Sequence, residues 1–264
     1  MAQQRQLPPM GAPAAMLDFD GTLADLFSKV DWSGLLDALG ELYQQGGVPA
    51  PVVAEHRHGG WGLLYAMYAY TLDHLPDQAA LLQEQAHELI HRYEVARWKE
   101  VRFYNGATDL VASLRHRGLR VGIITNNTGQ TMSMLLAGHR IGTLVDGIIG
   151  RREPTRMKPY PHQIEEFLAR FSCPPEGSFY LGDSVVDMQA ADSAKVAALG
   201  VVTGRATAEE LLSAGAVWVS PNLRDVQRRL QREGIPPRRI LDPPSGGGGE
   251  RERSLEAVGP LRAT

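Results

Sequence analysis

The chain has 264 residues, a formal net charge of −3 at pH 7 and 43% apolar residues, the profile of an ordinary globular protein. That balance predicts no attraction to nucleic acid polymers or membrane surfaces, and no apolar run is long enough to span a bilayer. The single cysteine, Cys173, excludes an internal disulfide and fits a reducing compartment. Arg5 has no apolar signal core behind it, so a cytoplasmic location is expected.

Residues 1–13 are rich in Gln and Pro and read as a flexible arm. Ala14 to Asp18 is short and apolar, like a buried strand. Residues 28–100 hold no convincing strand. Leu35, Leu36, Leu39, Leu42 and Tyr43 recur at helical spacing, as do Leu81, Leu82, Leu89, Ile90 and Tyr93. The aromatic stretch between them, with Trp61, Tyr65, Tyr68 and Tyr70, reads as a further helix packed into its own core. This block is expected to be an inserted helical subdomain.

From residue 101 to 233 strands and helices alternate. Strands are predicted over Arg120–Thr125, Gly147–Gly150, Ser178–Asp183, Ala194–Val202 and Ala216–Ser220. Helices are predicted over Leu110–His116, Thr131–His139, His162–Phe171, Ala208–Ala214 and Leu223–Gln231. Alternation of this kind implies an α/β fold with a Rossmann-like parallel sheet covered on both faces, built from residues 14–27 and 101–233. Residues 234–264, with two Pro-Pro pairs and a Gly run, read as a disordered tail.

Four polar signals interrupt this pattern at strand ends or turns. Asp18-Phe19-Asp20-Gly21-Thr22 follows the first strand. Alternate residues of an extended chain share a side, and Gly21 allows a sharp turn that Thr22 can bond. Two carboxylates so placed can divide labour, one as nucleophile and one as acid/base. Thr125 ends the next strand on a hydroxyl, followed by Asn126, Asn127 and Thr128, the last a candidate N-cap. A hydroxyl beside free helix N–H groups suits a phosphate oxygen, although a plain helix cap is the better account of this segment taken by itself. Lys158 precedes Pro159, which holds it extended; an ammonium there would offset phosphate charge, while the bland alternative is an exposed loop lysine. Arg151, Arg152 and Arg156 are expected to be surface charges, with the alternative that one of them reaches substrate. Asp183 follows a strand and Asp187 comes four residues later, a pairing suited to Mg²⁺ or simply to a helix N-terminus. Each bland reading is credible alone; the ordered set of four points to phosphoryl transfer at one sheet edge.

That ordered set resembles the haloacid dehalogenase superfamily of phosphotransferases, and Asp18 to Asp25 with Gly204 to Leu223 is similar to its phosphoglycolate-phosphatase-like members. The resemblance implies a Mg²⁺-dependent phosphatase acting on a small phosphorylated metabolite through an aspartyl phosphate. It implies Asp18 as nucleophile and metal ligand, and Asp20 as acid/base with its carbonyl on the metal. Thr125, Asn126 and Lys158 would bind phosphate, with Asp183 and Asp187 completing the metal site. An insertion after the first motif is where the family places a helical cap, here with His56, Arg57, His58, Trp61 and Tyr65 as residues that could read the substrate. A phosphomutase shares nearly all these residues, and a non-catalytic phosphate-binding scaffold is a further alternative. A dehalogenase fits less well, because Asp20 supplies an acid/base that carbon–halogen displacement does not need. Oligomeric state is left open.

Overall fold

The computed structural model describes residues 8–57, 61–151 and 157–239. They divide into two compact units. The described residues of Met1–Lys29 and Arg97–Leu241 form an α/β unit, and those of Val30–Ala96 form a helical unit.

The α/β unit is built on a six-stranded parallel sheet. Its strands are β1 (Ala14–Leu17), β2 (Arg120–Thr128), β3 (Gly147–Arg151), β4 (Phe179–Gly182), β5 (Ala197–Val201) and β6 (Trp218–Ser220). The spatial order is β3-β2-β1-β4-β5-β6. β1 and β4 are buried along their whole length, which explains why both read as continuous apolar runs rather than alternating ones. The order reverses between β1 and β4, the place where open parallel sheets bind ligands beyond their carboxyl ends. Leu17 pairs with Ile123 on one side and Leu181 on the other. The ladder runs one residue further, with the Asp18 amide donating to the Leu181 carbonyl at 2.9 Å. Asp18 and Asp183 are therefore delivered to the same edge by two neighbouring strands.

The five predicted helices appear in order as α5 (Ala107–His116), α6 (Gly129–Leu136), α8 (His162–Phe171), α10 (Ala208–Ser213) and α11 (Leu223–Glu233), and α9 (Val185–Ser193) lies where the sequence suggested only a helix start near Asp183. Thr128 caps α6 as expected, accepting from the Thr131 amide at 3.1 Å. An additional short helix, α7 (Arg140–Leu144), had no periodic signal because five residues are too few to show one. Met16, Ile124, Phe167, Tyr180 and Met188 belong to one buried cluster joining the sheet to α8 and α9. Within residues 1–13, read as an arm, the described part is held: the Pro8 carbonyl accepts from Arg120 at 2.9 Å and the Pro13 carbonyl from the Arg120 amide at 3.0 Å.

The helical unit contains α1 (Trp32–Gln45), α2 (Ala50–His56), α3 (Trp61–His74) and α4 (Pro76–Val95). Asp31 caps α1 by accepting from the Gly34 amide at 3.0 Å. Leu35, Leu39 and Tyr43 of α1 are buried, as are Leu82, Ala86 and Ile90 of α4. Leu81 departs from the predicted stripe and is 56% exposed, because Ala79, Leu82, Gln83 and Ala86 share the buried face one helical turn apart. Tyr65, Tyr68 and Tyr70 are half-buried; Leu63, Leu64 and Met67 fill the core of α3 instead. No helix among the described residues is long and apolar enough to cross a membrane.

Candidate active site

The residues nominated by the sequence separate into a buried charged cluster and a turn that abuts it. The cluster is centred on Lys158, which is only 3% exposed. Its Nζ donates to Asp18 Oδ1 at 2.7 Å, to Asp187 Oδ1 at 2.6 Å and to the Tyr180 hydroxyl at 2.8 Å. The bland reading of an exposed loop lysine is thereby excluded. The Lys158–Pro159 peptide is cis. Oxygens of Asp18, Asp183 and Asp187 lie within 4.8 Å of one another, a set able to hold a metal ion.

The electrostatics follow from burying three carboxylates around one ammonium. Burial pushes the Asp18 carboxyl up to about 6, against the lowering effect of Lys158 and with Asp187 adding to the rise. Burial also drives Asp183 well above the usual carboxylate range, assisted by Asp187 and Asp18. Burial by itself would lower the Lys158 ammonium, but the charges of Asp18 and Asp187 more than reverse this and hold it above its ordinary value. The cluster thus has a surplus of negative charge that a cation would neutralise.

Each acid is held by local structure. Thr22 Oγ1 donates to Asp183 Oδ1 at 2.7 Å, so this hydroxyl serves the neighbouring strand's acid rather than its own turn. Gly21 sits at φ 83°, and a Cβ there would come within 2.4 Å of Asp183 Oδ2. Asp187 forms a capping box with Ser184, whose amide and hydroxyl reach Asp187 Oδ2 at 3.0 and 2.5 Å. Both Asp187 oxygens thus carry hydrogen bonds. The helix N-cap is Ser184, not Asp183, which leaves Asp183 at the strand end facing the cluster.

Asp20 is half-buried and stands apart from the three-acid group. Its Oδ1 accepts from the amides of Leu26 and Phe27 at 3.0 and 2.7 Å, which closes the turn that begins at Gly21. Thr125 is buried, and its Oγ1 donates to Asn127 Oδ1 at 2.9 Å and accepts from the Asn127 amide at 3.2 Å. The Asn126 carboxamide clamps the main chain of Lys158. Its Nδ2 donates to the Lys158 carbonyl at 3.1 Å and its Oδ1 accepts from the Lys158 amide at 3.0 Å.

Arg151 corrects the expectation of a surface charge. It is 3% exposed, and its Nε donates to the Asn126 carbonyl at 3.0 Å, because β3 runs beside β2 and ends where that carbonyl emerges. Arg152 and Arg156 lie outside the described residues. In the helical unit, His56 Nδ1 lies 3.1 Å from the Val52 carbonyl oxygen and Arg57 pairs with Asp37. His58 and the Trp61 side chain lie outside the described residues.

Tyr180 was not nominated from the sequence. It lies inside the apolar run of β4, yet its hydroxyl donates to the Ile124 carbonyl at 2.7 Å while accepting from Lys158. The available signal was that a buried tyrosine needs a partner for its hydroxyl.

A family model for haloacid dehalogenase-like hydrolases matches residues 15–201. The chain belongs to that family. It is 30% identical over 214 residues to a phosphoglycolate phosphatase from Pseudomonas putida, covering 77% of this chain and 75% of that one. A phosphoglycolate phosphatase from Photorhabdus laumondii is 26% identical, covering 86% of this chain and 94% of its own length. Among solved structures, a haloacid dehalogenase-like family hydrolase from Streptococcus pneumoniae superposes with a TM-score of 0.57 at 22% identity, over 84% of this chain and 99% of that chain. The family match covers both the first motif and the strand that delivers Asp183, so this hydrolase has its buried cluster inside the matched region.

Proposed function

We propose that this hydrolase is a Mg²⁺-dependent phosphatase that cleaves a small phosphate monoester through an aspartyl phosphate on Asp18. The observation that carries the reading is the Lys158 ammonium bonded at once to Asp18 and Asp187, beside Asp183, at the switch point of the sheet. The relatives named phosphoglycolate phosphatase support phosphate esters as the substrate class.

The donor set fits Mg²⁺. It consists of carboxylate oxygens, the hard ligands this ion prefers, and it carries more negative charge than one ammonium balances. Asp18 and Asp183 are the carboxylates suited to direct ligation, with the Asp20 carbonyl as a third ligand. Asp187, with both oxygens engaged, would act through its hold on Lys158 and Ser184. When bound, Mg²⁺ would neutralise charge on the substrate phosphate.

The chain's own residues would do the rest. Lys158 holds the Asp18 carboxylate in place and favours its ionised, nucleophilic form. Attack forms an Asp18 oxygen–phosphorus bond and breaks the ester oxygen–phosphorus bond. Asp20 gives its proton to the departing oxygen, then takes one from the water that opens the acyl phosphate. The Thr125 hydroxyl and the amides that follow β2 would receive phosphate oxygens. Asn126 contributes by fixing the Lys158 backbone. The position of Val30–Ala96 directly after the first motif supports reading the helical unit as the cap. The single cysteine, buried and free, is compatible with a cytoplasmic setting.

The deciding experiment is phosphate release from 4-nitrophenyl phosphate, with Mg²⁺ and with a chelator, on the native chain and Asp18→Asn. Metal-dependent turnover that vanishes in the variant is expected. Turnover that persists in Asp18→Asn would overturn the proposal.

A further inference from the structure

We propose that Arg205 is the residue that reads the leaving group, and that it selects esters carrying a second anionic group next to the phosphate. The inference rests on the proposed phosphatase reading and extends it to the substrate.

Arg205 is linked to the site through its chain neighbour Gly204 and through its guanidinium, though its motif belongs to none of the four polar signals. At the backbone end, Gly204 presses on Asp183: a Cβ at Gly204 would lie 1.7 Å from Asp183 Oδ2, so no side chain fits there. At the other end, the Arg205 guanidinium lies 3.7 Å from the centroid of the Phe27 ring. Phe27 is the residue whose amide donates to Asp20 Oδ1 at 2.7 Å. The cation is thus positioned over the turn that holds Asp20. In the proposed reaction Asp20 faces the departing oxygen, so this is the leaving-group side.

The charge balance makes a cation there consequential. Asp18, Asp183 and Asp187 share a single ammonium, with the Asp20 carboxylate in the adjoining turn, and these acids would repel any substrate with an acid beyond its phosphate. Among the described residues, three other cations are already engaged. Lys29 pairs with Asp25 at 3.2 Å, Arg102 donates to the Lys99 and Val101 carbonyls, and Arg151 donates to Asn126. Arg205 is exposed, and among the described residues its guanidinium has no carboxylate partner. Stacking on an aromatic face restrains a guanidinium while leaving its N–H edge open for bidentate bonding to a carboxylate or phosphate. The matching substrate is a phosphorylated small hydroxy acid or a bisphosphate, whose second anion lies within a few bonds of the ester oxygen.

The test compares kcat/KM for 2-phosphoglycolate with kcat/KM for 4-nitrophenyl phosphate, whose leaving group has no second anion, in the native chain, R205Q and R205K with Mg²⁺. R205Q is expected to lose about 10- to 100-fold on phosphoglycolate, chiefly through KM. It should change by less than about 3-fold on the aryl ester, and R205K should restore part of the loss. Equal loss on both esters, or no loss on either, overturns the proposal. Native turnover of the aryl ester with none of the acidic ester overturns it too, while leaving the phosphatase reading intact. A native chain that hydrolyses neither ester removes the phosphatase reading itself.

Discussion

The α/β unit and the helical unit both bury polar side chains, but only the first gathers several acids in one place among the described residues. In the α/β unit the buried polar groups include a crowded set of ions: Asp18, Lys158, Asp183 and Asp187 are all less than a tenth exposed and meet in one cluster. The helical unit buries His91 and Glu94 on α4 outside any such cluster; Thr71 and Gln83 are buried on facing helices. They join through a chain in which Tyr43 donates to Gln83 and Gln83 to Thr71, each at 3.5 Å. A neutral chain with long hydrogen bonds is structural and contributes little. A cluster with excess negative charge costs stability unless a cation enters it, which is the mark of a site built for chemistry.

The largest contrast should come from Asp18→Asn, which is expected to reduce Mg²⁺-dependent phosphate release by at least about 10³-fold, as removal of a nucleophile does. Gln83→Met, made in the other unit, should leave that rate within about 2-fold and change stability by less than about 1 kcal/mol. If both variants lost activity alike, the division between the units would fail.

Lys158→Met tests what the ammonium does for the cluster. Removing it leaves buried carboxylates facing each other, so urea denaturation without metal should show a loss of about 3–5 kcal/mol. Added Mg²⁺ should recover part of this stability without restoring turnover. A metal-free variant as stable as the native chain would mean that the acids are not mutually strained.

Asn126→Ala should be milder. It deletes two hydrogen bonds to the Lys158 main chain, with an expected cost of about 1–2 kcal/mol in the same urea measurement. Since Asn126 acts through Lys158, kcat should fall while KM holds. A rise in KM alone would instead mark Asn126 as a direct phosphate ligand.

The smallest effect concerns His139, which caps α7 by accepting from the Ile141 amide at 3.2 Å. Burial lowers its imidazole below the ordinary value of 6.5. The folded state therefore favours the neutral ring, so this contribution is present above the unfolded value and fades as pH falls below it. Between pH 7.5 and 5.5 the native chain should lose slightly more stability than His139→Asn, which keeps a capping acceptor. Identical slopes would remove the assignment.

Much of the architecture was legible because its causes are local. Hydrophobic period separated the strands from the helices, and His162–Phe171 was delimited to the residue by its apolar face. The acids could be placed at strand ends because a buried parallel strand reads as an apolar run that stops at its first charge. Arg151 shows where this reading ended: an arginine flanked by loop residues looks exposed until the neighbouring strand presents the Asn126 carbonyl to it.

By itself, the sequence determined the α/β pattern, the inserted helices and the identities of the acids and the lysine, because propensity and polarity depend on neighbours along the chain. The tertiary structure alone decided their partners. Lys158 meets Asp18 across 140 positions and Thr22 meets Asp183 across 161. Tyr180 joins a β2 carbonyl to the lysine, and Gly204 brings Arg205 to the rim of the site. Such contacts are set by strand order and register, which no local pattern encodes.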